Sequence, residues 1–192
     1  MISPLDLVRR IARLLDGLQV PHQFTGSIAS SWYGQPRATA DIDVVIEADL
    51  EKLEALAAVL EPDFYVSRDA IREASKHRGS FNAISLDSPF KVDFFMIGNR
   101  AYDREAFRRG AEHALDEAGS QPVKLLSQED TILRKLEWFR RGGEVSEQQW
   151  RDVLGMLVAR RGLLDELYLD RWSAELGIND LLARAREQAR AV

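Results

Sequence analysis

The chain of 192 residues contains no cysteine, which excludes disulfides and thiolate metal sites and fits a reducing compartment. Its three histidines, His22, His77 and His113, are scattered, and no two have the spacing of a metal-ligand pair. No apolar run approaches the roughly 18–20 residues needed to span a bilayer. Nor is there a surplus of positive charge: 26 Lys/Arg stand against 31 Asp/Glu, for a net charge of −5. A strongly basic nucleic-acid-binding domain is thereby excluded, and only a local basic patch is left open. Residues 127–192 are nearly neutral as well, with 11 Lys/Arg against 12 Asp/Glu. The first ten residues include Asp6, Arg9 and Arg10 and lack the continuous apolar centre of a signal peptide. The expectation is a cytoplasmic protein with no membrane contact.

What the chain does have is the composition of a globular protein, 45% hydrophobic and 30% charged, long enough for one good core or one domain with a small appendage. Ser3-Pro4 opens a helix at residues 3–18, since proline at the first helical position loses no hydrogen bond. Residues 22–25, 39–46, 64–67, 81–86 and 91–97 read as strands, the last two joined across the turn sequence Asp87-Ser-Pro. Residues 27–33, 49–60, 69–76 and 102–109 read as helices. Residues 111–126 admit two readings, a pair of short strands (112–117 and 122–126) or a single helix over 103–117, and the strands are preferred. From Ser127 the pattern changes to four helices separated by glycines: 127–141, 146–161, 163–176 and 179–189. The division is therefore expected near residue 125, with 1–125 an α/β part and 126–192 all helical.

The chemistry gathers in Thr25–Glu47. Gly26, without a Cβ, lets backbone approach a phosphate closely, and Ser27 begins a helix, where anions bind readily. Asp41 and Asp43 stand at i and i+2 on a strand, so both carboxylates share one face, roughly 6–7 Å apart at Cα. A third acid, Asp93, sits inside the otherwise apolar run Lys91–Ile97. An ionised carboxylate there is costly unless it is paired or bound to metal. Alternation puts it on the face of Lys91 and Phe95, opposite Val92, Phe94 and Met96. If the strands of Asp41 and Asp93 are neighbours, the three carboxylates can meet. Such a cluster can hold two divalent ions about 3.5–4 Å apart for an in-line displacement. Oxygen-only ligands favour Mg²⁺ or Mn²⁺ over zinc.

Gly26-Ser27, then Tyr33-Gly34-x-Pro36-Arg37-x-Thr39-x-Asp41-x-Asp43, and Asp93 on a later strand resemble the nucleotidyltransferase superfamily of the DNA polymerase β type. The longer form, with Tyr-Gly-x-Pro-Arg-x-Thr before the acidic pair, is similar to the AbiEii-like nucleotidyltransferases, which include toxins of type IV toxin–antitoxin systems. The resemblance covers about residues 20–155. It implies an α+β fold, a mixed β-sheet flanked by helices and followed by a C-terminal helical part. It also implies Mg²⁺- or Mn²⁺-dependent transfer of a nucleoside monophosphate from an NTP to an acceptor hydroxyl, on a tRNA end or a small molecule. In that reading Asp41, Asp43 and Asp93 bind metal and form the catalytic triad, with Asp93 accepting the hydroxyl's proton. Gly26 and Ser27 hold the triphosphate. Ser127-Gln-Glu-Asp130 followed by Lys135 resembles the family's helix that brings a lysine to the nucleotide. Arg151-Asp152 resembles its basic–Asp pair, with arginine where the family has lysine, so Asp152 stands near the nucleotide. An antitoxin protein is the partner that the toxin branch implies.

Each element also has a plain structural explanation. Gly-Ser before a helix caps it, and Asp-x-Asp at a strand start is solvated. Asp93 alone can pair with a basic side chain, and Lys135 can be an ordinary solvated helical residue. Arg37 reads equally as a phosphate ligand and as a turn stabiliser. Trp138, Phe139, Trp150 and Trp172 read as helix packing, and Arg140-Arg141 and Arg160-Arg161 as cations at helix ends. The competing reading for the whole chain is a catalytically inactive nucleotide-binding or protein-interaction module.

Overall fold

The computed structural model describes residues 3–115 and 122–191. The chain forms two compact units, one of residues 1–28 and 38–126, the other of residues 29–37 and 127–192.

The first unit opens with helix α1 (Pro4–Gly17). Its start is fixed by a reciprocal cap in which Ser3 Oγ accepts from the Asp6 amide and the Asp6 carboxylate accepts from the Ser3 amide. Strand β1 (His22–Phe24) follows, then helix α2 (Gly26–Tyr33), of which only residues 26–28 count with this unit, strand β2 (Asp41–Ile46) and helix α3 (Leu50–Leu60), capped by Asp49. Strand β3 (Phe64–Val66), helix α4 (Arg68–His77), strands β4 (Ser80–Ser85) and β5 (Lys91–Met96), and helix α5 (Ala101–Arg109) come next. Strands β6 (Ala111–His113) and β7 (Val123–Leu125) complete the unit. For residues 111–126 the two-strand reading holds over the described part, and residues 116–121 lie outside it. A single helix over 103–117 is overturned, because the helix stops at Arg109 ahead of Gly110 and β6 pairs antiparallel with β7.

The seven strands make one mixed sheet in the order β3-β4-β5-β2-β1-β7-β6. Neighbours β2 and β5 run parallel, as do β1 and β7, while β1–β2, β3–β4, β4–β5 and β6–β7 are antiparallel. Residues alternate strictly along β2 and β5: Ile42, Val44, Ile46, Val92, Phe94 and Met96 are buried. They join Leu7, Ile11 and Leu15 of α1 and Leu53, Leu56 and Leu60 of α3 in one core. Inside it Phe81 and Phe94 stack with ring centroids 4.9 Å apart. The opposite face of the same two strands carries Asp41, Asp43, Lys91 and Asp93, followed along the strands by the Val45–Phe95 pair.

The second unit contains helices α6 (Gln128–Arg141), α7 (Glu147–Ala159), α8 (Glu166–Glu175) and α9 (Asn179–Arg190). α8 begins three residues later than the glycine pattern suggests, because Asp165 accepts from the Tyr168 amide and so supplies the cap. Leu133, Leu136, Val153, Met156, Leu169, Trp172, Leu182 and Ala185 are buried between these helices. Asp130 is fully buried, and it is satisfied by Ser127 Oγ at 2.6 Å and the Tyr168 hydroxyl at 2.8 Å. Residues 29–37 count with this unit rather than with the α/β part. The Arg160 guanidinium lies over the Tyr33 ring and donates to the Tyr33 carbonyl at 3.2 Å. Gly34 is pressed so close to the α7 backbone that a Cβ there would stand 3.1 Å from the Met156 nitrogen. Phe139 and Trp172 are buried as packing residues, whereas Trp138 is half exposed beneath the Arg141 guanidinium.

Truncating Phe94 to alanine removes the centre of the sheet core. Phe94→Ala is expected to lower unfolding stability by about 3–5 kcal/mol in urea denaturation.

Candidate active site

The turn from β1 into α2 is shaped by one side chain. The Thr25 amide donates to the Asp43 carbonyl at 2.9 Å, which extends the β1–β2 ladder by one bond. The chain then turns at Gly26 with φ +58°. A Cβ on Gly26 would lie 1.8 Å from Asp43 Oδ2. Glycine is therefore required twice, by the left-handed backbone and by the carboxylate seated against it. Gly26, read from sequence as a position of close phosphate approach, is also the floor under Asp43. Ser27 beside it is largely buried at the head of α2.

The β2–β5 register sets the acids. Asp43 is the direct partner of Asp93, and Asp41 is the direct partner of Lys91. All four lie on the face opposite the core, Asp93 with its side chain 21% exposed and Asp41 60% exposed. Asp93 thus points away from the core. It is paired, however: Lys91 Nζ lies 2.9 Å from Asp93 Oδ2 and 3.6 Å from Asp41 Oδ1. The hydrogen bond with Asp93 is the main cause that holds the Lys91 pKa above the usual lysine range, with the charges of Asp93 and Asp41 adding to it.

Among the described residues, no group of three or more His, Asp or Glu side chains already stands where it could hold a metal ion. The expected meeting of three carboxylates at one point is replaced by an arrangement with an ammonium between two of them. Repulsion between like charges on adjacent strands accounts for it, and the Lys91 ammonium relieves that repulsion. The donor set still fits a hard divalent ion. It offers carboxylate oxygens only, on a partly exposed face, around a position that a cation already occupies.

The other candidates gather in the second unit around Asp152. Lys135 Nζ donates to Asp152 Oδ2 at 2.7 Å and to Gln149 Oε1 at 3.1 Å. Gln148 Nε2 donates to Asp152 Oδ1 at 2.8 Å, and the Ser30 hydroxyl approaches Oδ2 at 3.4 Å. Arg37 Nε stands 3.5 Å from Asp152 Oδ1, an ion pair with a carboxylate. The Lys135 and Asp152 side chains are only 6% and 7% exposed, which removes the reading of Lys135 as a solvated helical residue. Arg151, by contrast, is a surface residue paired with Glu147 at 3.0 Å. Burial pushes the Asp152 pKa up. The hydrogen bond and charge of Lys135, the Gln148 amide and the Arg37 charge outweigh burial and hold it below its ordinary 3.8.

The eight predicted site residues thus form two groups. Gly26, Ser27, Asp41, Asp43 and Asp93 belong to the first unit, and Arg37, Lys135 and Asp152 to the second. Sequence reasoning gave no role to Lys91, Gln148, Gln149 or Ser30. Gln148 and Asp152 are four apart on one helix, a spacing that signals a shared face. Nothing local marks Ser30.

The pair makes a pH prediction. A carboxylate whose folded pKa is depressed stabilises fully above its unfolded value, and that stability is lost as pH falls through the folded value. Asp152→Asn leaves the Lys135 ammonium buried without its counter-charge and is expected to cost about 3 kcal/mol near neutrality. In urea titrations the gap between wild type and variant should close as the pH drops below 3.8.

The sequence matches no protein-family model and no curated protein. Solved structures do match over nearly the whole chain. The antibiotic-resistance factor ANT(2'')-Ia in solution is 20% identical with a TM-score of 0.56, covering 96% of this chain and 93% of that one. An antigenic nucleotidyltransferase-like protein from Paracoccidioides brasiliensis is 18% identical with a TM-score of 0.57, covering 97% and 94%. The lincosamide antibiotic adenylyltransferase LnuA, bound to lincomycin, is 14% identical with a TM-score of 0.51, covering 81% and 96%. The likeness embraces the mixed sheet with its helices and the helical region after it: the chain has the nucleotidyltransferase fold.

Proposed function

We propose that the protein transfers a nucleoside monophosphate from an NTP to a hydroxyl group of a small molecule. The observation that carries this is Asp43 opposite Asp93 on adjacent parallel strands, seated on Gly26, with Asp41 two residues away on the same face. Asp41, Asp43 and Asp93 are the residues that would hold Mg²⁺ or Mn²⁺. Such an ion, when bound, neutralises charge on the transferred phosphoryl group and lowers the pKa of a bound hydroxyl.

The chain's own groups divide the remaining work. The positive φ at Gly26 and the N-terminal end of α2 suit the triphosphate oxygens. Asp93, the least exposed of the strand-face partners of Lys91, is assigned to take the proton of the attacking hydroxyl. The hydroxyl oxygen forms a bond to the α-phosphorus, and the bond from that phosphorus to the bridging oxygen breaks. Pyrophosphate leaves with the electron pair. Lys135, held straight by Asp152, and Arg37 are assigned to the nucleotide phosphates.

Two observations favour a small acceptor. The net charge of −5 gives no general attraction for a polyanion. The structures similar over most of both chains include one of ANT(2'')-Ia in complex with adenylyl-2''-tobramycin and one of a lincosamide adenylyltransferase with lincomycin. The Tyr33–Thr39 segment favours a second reading, an AbiEii-like toxin that modifies a tRNA end and is neutralised by a cognate antitoxin.

Incubation with each labelled NTP, Mg²⁺ and separate pools of hydroxyl-bearing antibiotics, metabolites and total RNA decides among these. Label is expected in a small-molecule pool. Asp43→Ala should reduce it by more than about 100-fold, beyond the loss seen for an outer-shell partner of a metal ligand. Label only in RNA supports the toxin reading, and no label in any pool from folded protein overturns nucleotidyl transfer.

A further inference from the structure

A cation beside the candidate catalytic acids is supplied by the chain itself. Lys91 and Asp93 lie two apart on β5 and so share a face, and the parallel register puts Lys91 directly across from Asp41. The result is an ammonium bridging 2.9 Å to one carboxylate and 3.6 Å to another, next to the Asp43–Asp93 pair.

We propose that Lys91 is a tethered counter-ion of the acidic cluster: it holds Asp41 and Asp93 together without a divalent ion and must leave their oxygens for one to bind. The inference rests on the reading that Asp41, Asp43 and Asp93 hold the metal. Asp41 Oδ1 and Asp93 Oδ2 have a limited number of lone pairs, and those aimed at the ammonium are unavailable to a second cation. Nor can the ammonium stay where it is beside a doubly charged ion, since the two would repel within a few ångströms. Departure is cheap. The lysine side chain is 37% exposed, and its flexible four-carbon stem can carry the charge into water. A residue placed this way competes with the metal and thereby sets the concentration at which the cluster fills.

The roles of pairing and competition have opposite signatures on metal affinity. Were Lys91 only a brace that orients the carboxylates, removing it would loosen them and weaken metal binding. As a competitor, its removal strengthens binding. Calorimetric titration of the apo protein with Mn²⁺ alone, without nucleotide, reads this directly. Lys91→Met is expected to bind Mn²⁺ about fivefold more tightly than wild type, the scale of the partly exposed ion pair that wild type must break before the ion enters. Lys91→Arg keeps the charge and should bind at about the wild-type affinity, and Lys76→Met, on the exposed side of α4, should match wild type. Thermal melts supply a second readout. Lys91→Met should melt below wild type in chelator and gain more from saturating Mn²⁺ than wild type does.

Unchanged or weaker Mn²⁺ affinity in Lys91→Met, with wild-type binding that Asp43→Ala abolishes, overturns the role of Lys91 and leaves the metal site standing. If neither wild type nor Lys91→Met binds Mn²⁺ in a manner that Asp43→Ala abolishes, the metal reading itself falls, and this inference with it.

Discussion

The parallel ladder between β2 and β5 is the constraint on which the rest depends. It pairs Asp43 with Asp93 and Asp41 with Lys91 across two adjacent strands, and it sends Ile42, Val44, Val92 and Phe94 to the other face. A slip of one residue in either strand would bury carboxylates and expose the core set. The hydrophobic pattern that stabilises the sheet is therefore also what fixes the polar cluster. The burial of Phe94 and the position of Asp93 are two consequences of one register. Gly26 ties a third element to it, because only a residue without Cβ can lie beneath the Asp43 carboxylate.

The second unit solves a different problem, that of keeping a lysine and an arginine aimed by a buried acid. Asp152 receives Lys135, Gln148 and the neighbouring Arg37, and its depressed pKa keeps it ionised across the neutral range. An almost fully buried ammonium is unfavourable alone, and here the Asp152 carboxylate and the Gln149 amide oxygen compensate it. Lys135 is thus a pre-oriented group with little rotamer freedom left to lose. The same logic sets Asp130, whose burial is compensated by the Ser127 and Tyr168 hydroxyls at the head of α6.

Much of this was legible in residue order. Alternation in Asp41–Ile46 and Lys91–Met96 predicts which side chains share a face, and caps at Ser3, Asp49, Ser127 and Ser146 mark helix starts within a residue or two. Local pattern does not carry the pairing between distant strands. That Lys91 faces Asp41, and so bridges it to Asp93, depends on which residue of β5 meets which residue of β2, a tertiary fact. The same reason hides Ser30, 122 residues from Asp152 in the chain, and the packing of Tyr33 and Gly34 with the helical unit. The late start of α8 is a different kind of difference, because the side chain of Asp165, three residues after Gly162, caps the helix locally.

The central claim is that Asp41, Asp43 and Asp93 form one metal-holding cluster from which Lys91 is displaced. Crystals grown with Mn²⁺ and a non-hydrolysable NTP, read by anomalous diffraction, test it most directly. The account predicts Mn²⁺ peaks about 2.1 Å from carboxylate oxygens of all three aspartates, with Lys91 Nζ withdrawn from both partners. Nucleotide bound with Lys91 still bridging Asp41 and Asp93, or Mn²⁺ peaks away from these carboxylates, would contradict it.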